Sequence, residues 1–305
     1  MKVLIASSSP VARPLIAALI SNNKHEFCGL ITNPDKATGR GLQIEANELA
    51  HWAVAEKISL YKPSSNEDLK TDLLSISPDL VITIAYGKLI PQELLQLPKF
   101  GWINVHFSKL PRWRGAAPVQ WAILSGDKTS GITVFQLDKG MDTGPIYSKK
   151  SVAIEPHWRS FELLQVLAQE GPSTVSDALA MISAQVAPSA QEGAASLAPK
   201  ISKQDARLNF LHDASTLVNA IRAFTYEPGA WCNWKEESFK ITSAFALDER
   251  QLMPGVIAVD GQRVLVGCGN NTTIEILTVI PAGKKEMTAA EWARGARLNG
   301  GESFG

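Results

Sequence analysis

The stretch DLVITIAYGKLIPQELLQLPKFGWINVH, Asp79–His106, decides the architecture. It holds two short apolar runs, Asp79–Ala85 and Trp102–Val105, with the continuous hydrophobic pattern of strands buried on both faces. Working outward, Val3–Ala6 reads as another buried strand and Glu26–Thr32 as a further one. Pro10 opens a helix through Ile20, with proline in its first turn. Ala46–Glu56 has helical apolar spacing, and Ile132–Leu137 is again a strand. Strands alternating with helices predict an α/β fold: a doubly wound, mostly parallel sheet, Rossmann-like, with helices on both faces. In such sheets ligands sit beyond the carboxyl ends of strands. The site is therefore expected just after Val105 and just after Leu137.

Composition sets the frame around that sheet. The chain has 305 residues, 45% of them hydrophobic, which suits one large core and a second, smaller one. Neither Val3–Ala6 nor Leu80–Ala85 approaches the roughly 18 apolar residues of a membrane span, and no signal peptide is recognisable, so a cytoplasmic protein is expected. Cys28, Cys232 and Cys268 stand far apart with no CxxC pair, which argues against disulfides and a zinc site. Thirty basic residues balance thirty acidic ones, so composition by itself does not suggest a nucleic-acid partner. Residues 184–202 are rich in Ala, Ser, Pro and Gln and read as a linker between a catalytic domain, 1–183, and a C-terminal domain, 203–305. In the latter, a helix over Ala214–Phe224 precedes five short strand candidates: Ala230–Trp234, Phe239–Thr242, Val256–Val259, Arg263–Gly267 and Thr273–Val279. That pattern fits a small OB-like β-barrel.

Two loops are too polar for a core: Asn33–Gln43, NPDKATGRGLQ, and Phe107–Pro118, FSKLPRWRGAAP. The second begins at the end of a predicted strand. There Asn104 and His106 share a face, because strand side chains alternate. A carboxamide and an imidazole side by side suit acyl transfer, one donating to a developing oxyanion and the other donating or shuttling a proton. Asp138-Lys139-Gly140-Met141-Asp142-Thr143-Gly144 follows the next strand, and its acid is placed to orient the imidazole or relay protons. Each motif alone is weak evidence. An Asn or His at a strand end is more often a satisfied polar group, and the aspartate loop lacks EF-hand ligand spacing. His25, His51, His157 and His212 fall outside any such context. Of eight tryptophans, only Trp113, between Arg112 and Arg114, is placed near a ligand.

Together and in order, NVHFSKLPRWRGAAP (Asn104–Pro118) and GITVFQLDKGMDTG (Gly131–Gly144) resemble the 10-formyltetrahydrofolate-dependent formyltransferases, with the pattern NxHxSxLPxxRG…P…GxTxxxxDxGxDtG. The RWRGAAP version resembles the branch acting on methionyl-tRNA. The resemblance implies Asn104, His106 and Asp142 as the catalytic trio. It implies Ser108, Lys109, Leu110 and Pro111, with Tyr86 and Gly87 at a strand end, as the folate contacts. NPDKATGRG resembles the loop used on a tRNA acceptor stem, which implicates Arg40, and Arg112 and Arg114 are further expected tRNA contacts. KISKQDAR (Lys200–Arg207), Ile221–Phe224 and PAGKKEM (Pro281–Met287) resemble the family's C-terminal domain. Three departures stand out: the first turn reads Ala6-Ser7-Ser8-Ser9-Pro10 rather than Gly-Thr-Pro, Lys109 replaces a Leu, and residues 200–305 balance twelve basic against twelve acidic residues where a domain gripping tRNA would more comfortably be basic.

The implied reaction moves the formyl group of 10-formyltetrahydrofolate to the α-amino group of methionyl initiator tRNA, in a monomer, with no metal. Asn104 and His106 would donate to the oxyanion, and Asp142 would orient the ring and accept the amine's proton. A formyltransferase for a sugar amine or glycinamide ribonucleotide shares the trio, but the NPDKATGRG loop and the C-terminal barrel favour tRNA. A nicotinamide oxidoreductase is excluded by a first turn without GxGxxG. The neutral charge disfavours a plain RNA-binding module.

Overall fold

The structure, a computed structural model, describes residues 1–38, 43–247, 252–298 and 301–305. In chain order the elements are β1 (Lys2–Ala6), α1 (Arg13–Ser21), β2 (Glu26–Ile31), β3 (Lys36–Thr38), β4 (Gln43–Glu45), α2 (Glu48–Ala55), β5 (Leu60–Tyr61), α3 (Asn66–Ile76), β6 (Leu80–Thr83), α4 (Gln92–Leu95) and β7 (Trp102–His106). They continue with α5 (Pro118–Leu124), β8 (Thr129–Gln136), β9 (Ile146–Ala153), α6 (Ser160–Ser183) and α7 (Ala214–Phe224). The last stretch holds β10 (Trp231–Trp234), β11 (Glu237–Leu247), β12 (Ile257–Asp260), β13 (Arg263–Gly267), β14 (Thr273–Ile280), β15 (Met287–Thr288) and α8 (Ala289–Ala296).

The chain folds into two units. The first comprises residues 1–115, 130–152 and 164–197; the second comprises 116–129, 153–163 and 198–305. In the first, seven strands run in the order β5-β2-β1-β6-β7-β8-β9. The pairings from β5 to β7 are parallel, and β8 joins β7 antiparallel, so the sheet is mixed with a parallel majority. The apolar runs of the sequence occupy its centre: Leu4, Ile5, Leu80, Ile82 and Trp102 are fully buried, and the Trp102 indole N–H donates to the Leu94 carbonyl at 2.8 Å. Asn47 caps α2, and Ser65 with Asp68 forms a capping box on α3, so these helices begin where side chains satisfy their free N–H groups. The polar stretch after Asn33 is not wholly irregular: β3 and β4 pair antiparallel, Lys36 opposite Glu45.

The second unit has an antiparallel sheet, β10-β11-β14-β13-β12, with β15 on β14. This is the expected small β architecture, although no pairing joins β10 to β12 among the described residues. The strand expected to end at Thr242 continues to Leu247. Phe239, Trp292 and Phe304 pack at its core, with Trp292 and Phe304 stacked at 5.7 Å between ring centres. Cys232 and Cys268 are buried free thiols that pack as small apolar side chains, whereas Cys28 is only partly buried. No helix among the described residues is long and apolar enough to cross a membrane.

Candidate functional site

Three adjacent strands bring the site together. Parallel register sets Thr83 at the end of β6 beside Asn104 on β7, and antiparallel register sets His106 opposite Thr133 on β8. The buried Thr83 hydroxyl donates to Asn104 Oδ1 at 2.7 Å, with the Ile103 carbonyl 3.2 Å away. That contact fixes which way the carboxamide faces. The Asn104 Nδ2 donor has no hydrogen-bond partner among the described residues and is left available.

His106 is 6% exposed. Its Nε2 lies 2.8 Å from the Trp113 carbonyl, which can only accept, so Nε2 carries the proton and Nδ1 is the bare nitrogen of the neutral ring. The edge of the ring meets Phe135 at 6.4 Å. Burial pushes the imidazole pKa below its usual value, while Asp142 and the Trp113 carbonyl pull it back up without reversing the direction. Asp142 Oδ2 stands 3.7 Å from Nδ1, beyond hydrogen-bond reach, and accepts from the Gly115 N–H at 2.8 Å. Asp142 takes a left-handed backbone, φ 54°, a conformation uncommon for a residue with a Cβ.

The loop after β7 is fixed from within. Thr133 donates to the Ser108 carbonyl at 2.7 Å and accepts from the Leu110 N–H at 3.2 Å. The buried Ser108 hydroxyl donates to the Arg112 carbonyl at 2.6 Å, so it serves the loop itself. Leu110 and Pro111 are buried, and Lys109 and Arg112 are exposed. The Arg112 guanidinium lies over the Trp113 ring, 4.3 Å from its centre. Arg114 is half-buried and bonds Gln191 through Nε and Nη2, at 3.2 and 2.6 Å.

Other expected residues fare differently. The Tyr86 ring turns into the core beside Leu69, Leu73, Leu94 and Trp102, so only its backbone lies at the strand end. Its hydroxyl has no hydrogen-bond partner among the described residues, and burial, with nearby Asp72 adding, pushes its pKa up to about 12. Gly87 is exposed with φ 74°, and open space lies where a Cβ would stand. Arg40 lies outside the described residues. No group of three His, Cys, Asp or Glu side chains placed to hold a metal occurs among the described residues. Sequence reading missed the contributions of Thr83, the Trp113 carbonyl, the Gly115 N–H and Gln191. Three of these act through groups that any residue, or any hydroxyl, supplies, and the fourth lies in a compositionally plain stretch.

The geometry can be set beside known proteins. Residues 1–179 match the formyl transferase family, and 200–297 match the formyl transferase C-terminal domain. A methionyl-tRNA formyltransferase of Streptomyces coelicolor is 38% identical over 311 aligned positions, covering all of both chains. Among solved structures, HypX from Aquifex aeolicus in complex with tetrahydrofolic acid has a TM-score of 0.67 at 17% identity, covering 96% of this chain and 47% of that one. A methionyl-tRNA formyltransferase from Clostridium thermocellum has a TM-score of 0.59 at 15% identity, covering 91% and 99%. At those identities the structural likeness speaks for the fold, and the sequence relationship speaks for the family. The chain belongs to the formyltransferase family, within its methionyl-tRNA formyltransferase branch.

Proposed function

We propose that this chain transfers the formyl group of 10-formyltetrahydrofolate to the α-amino group of methionyl initiator tRNA, giving the N-formylmethionyl-tRNA that starts translation in the cytoplasm. The observation that carries the reading is the state of His106: buried, anchored through Nε2, with a bare Nδ1 facing the Asp142 carboxylate. The folate supplies the formyl carbonyl and, at N10, the leaving nitrogen. Its fit rests on the available Asn104 donor, the open backbone at Gly87, and the ordered loop carrying Ser108, Lys109, Leu110 and Pro111.

Asn104 is the donor for negative charge growing on the formyl oxygen, since Thr83 already occupies its acceptor. His106 is the proton carrier. Nδ1 takes the proton that the methionyl amine sheds on bonding to carbon and returns it to N10 as that bond breaks. The Asp142 carboxylate stabilises the transient imidazolium across the 3.7 Å gap. This reading differs from the expectation that His106 donates to the oxyanion and Asp142 accepts the proton: with Nε2–H given to the Trp113 carbonyl, the ring nitrogen left to serve the reaction is the bare Nδ1, which accepts. The remaining acceleration comes from holding both substrates in register, an effect worth about 7–11 kcal/mol.

Residues 1–183 would carry this chemistry, and 203–305 would help hold the tRNA. Arg40 and Arg112 are the proposed direct tRNA contacts, and Arg114 contributes through the loop it braces. The test is a panel of amine acceptors offered with 10-formyltetrahydrofolate: methionyl initiator tRNA, a nucleotide-linked amino sugar and glycinamide ribonucleotide. Formylation of the tRNA alone is expected. Faster formylation of either small amine would overturn the assignment.

A further inference from the structure

Residues 184–202 read as a linker in composition, yet 184–197 belong to the first unit and are pinned along it. Ser189 exchanges two backbone hydrogen bonds with Ile146, at 2.7 and 2.9 Å. Ser196 receives the Arg114 N–H on its carbonyl at 2.9 Å and the Trp113 N–H on its hydroxyl at 3.0 Å. Between these fixed points stands Gln191. Its Nε2 donates to the carbonyl of Asp142 at 2.8 Å and to that of Gly144 at 2.9 Å. Its Oε1 accepts both bonds from the Arg114 guanidinium. Both N–H groups and both lone pairs of the amide are therefore used, and every partner lies in a segment flanking the trio.

We propose that Gln191 is the positioning residue of this site: it holds the left-handed backbone of Asp142 and thereby sets the separation of that carboxylate from the His106 ring. The Asp138 bonds close the turn around Gly140 and Thr143, but among the described residues the hydrogen bonds made by Asp142 itself are those from the Gly115 N–H and from Gln191. Its φ of 54° is unfavourable for a side-chain-bearing residue and persists only where surrounding bonds over-determine it. The Gly115 N–H fixes one carboxylate oxygen, but the peptide on which that carboxylate rides is held by Gln191. Arg114 in turn orients the Gln191 amide, which has no way to present its nitrogen to two carbonyls while accepting from a guanidinium unless Oε1 faces the arginine. The bidentate grip selects one amide rotamer.

The inference rests on the proposed reaction for its consequence, so its test is read first without activity. Gln191→Leu and Gln191→Met remove the amide and introduce no charge. The His106 imidazole is followed by nitrogen-detected NMR titration in the full chain, with Asp142→Asn marking complete loss of the carboxylate. Asp142 raises the His106 midpoint against burial, so its withdrawal lowers that midpoint. Both Gln191 variants are expected to move it at least halfway to the Asp142→Asn value. In formylation assays, kcat should fall by about 10²-fold, the cost of a misplacement near 1 Å, with substrate KM values little changed. A parent-like His106 midpoint in either folded variant overturns the proposal. Absence of formylation by the parent chain would overturn the reaction assigned above and leave the titration decisive for Gln191.

Discussion

Asn104 shows how one neighbouring hydroxyl gives a side chain its role. A free carboxamide presents either end, whereas the Thr83 bond leaves only the amino group to meet substrate. Asn104→Ala is expected to lower kcat by about 10²–10³-fold, the usual loss for one oxyanion donor, with little change in KM. Thr83→Val, which keeps shape and removes the orienting hydroxyl, should lower kcat by a smaller factor in the same steady-state assay. His106 carries a pH prediction. The ring works as the neutral form, and burial sets its folded pKa below 6.5. Protonation fills Nδ1, so in an NMR titration of the free chain the ring should stay neutral as pH falls to 6.5 and gain its proton only through the depressed value. Asp142→Asn removes the main opposing pull and should carry that midpoint lower still. A His106 midpoint above 6.5 in the parent would contradict the assignment. The acid limb of kcat/KM is no substitute, because the substrate α-amine, with a free pKa of about 7.7–8.0, titrates first.

At the scale of elements, the loop Asp138–Gly144 is a constructed object. Asp138 Oδ1 accepts from the Gly140 N–H at 3.0 Å and from the Thr143 hydroxyl at 2.8 Å, closing the turn that carries Asp142. Gly144 is required by close approach: a Cβ there would stand 1.8 Å from the Gln136 carbonyl oxygen. Gly144→Ala must therefore displace backbone, and both kcat and Tm are expected to drop; a parent-like kcat would show that the loop tolerates the shift. In the second unit, Asp213 caps α7 by accepting the Thr216 N–H at 2.9 Å, and bonds from Ser215 and Thr216 lower its pKa to about 2. Asp213→Ala should cost about 1 kcal/mol, as cap removal commonly does. A depressed carboxylate stabilises above its unfolded pKa, so urea melts should show this difference at neutral pH and lose it as pH falls from 3.8 towards 2. Periodicity made β7 and the shared face of Asn104 and His106 readable in advance, and likewise the helix over Ala214–Phe224. It did not reveal β9 or the continuation of β11, where the alternation is half-polar. Nor did it reveal Gln191, since nothing local to an Ala/Ser-rich run says that its amide reaches residues 142 and 144. Tyr86 was placed at the right strand end, but which way its ring turns depends on space left by Leu69, Leu73 and Leu94.

For the whole molecule the question is how a chain of zero net charge holds a polyanion. Residues 200–305 contain twelve basic and twelve acidic residues, so attraction to phosphate must come from local placement rather than from the summed field. Arg40, flanked by Gly39 and Gly41 in the NPDKATGRG segment, is the cation the sequence singles out. Arg40→Ala is expected to reduce kcat/KM for methionyl initiator tRNA by about 1–3 kcal/mol, the size of a specific contact, while the KM for folate stays at the parent value. Equal use of the tRNA by variant and parent at physiological salt would assign the contact elsewhere, Arg112 first. In the reaction proposed above, the site ending β7 moves the formyl group through His106. The most direct test is a single-turnover assay with 10-formyltetrahydrofolate and methionyl initiator tRNA both saturating, comparing the parent with His106→Ala. The variant's rate is expected to be lower by at least about 10²-fold, the scale of a lost proton carrier, with tRNA binding intact. A His106→Ala protein that retains more than about half of the parent rate, far outside that scale, would contradict it.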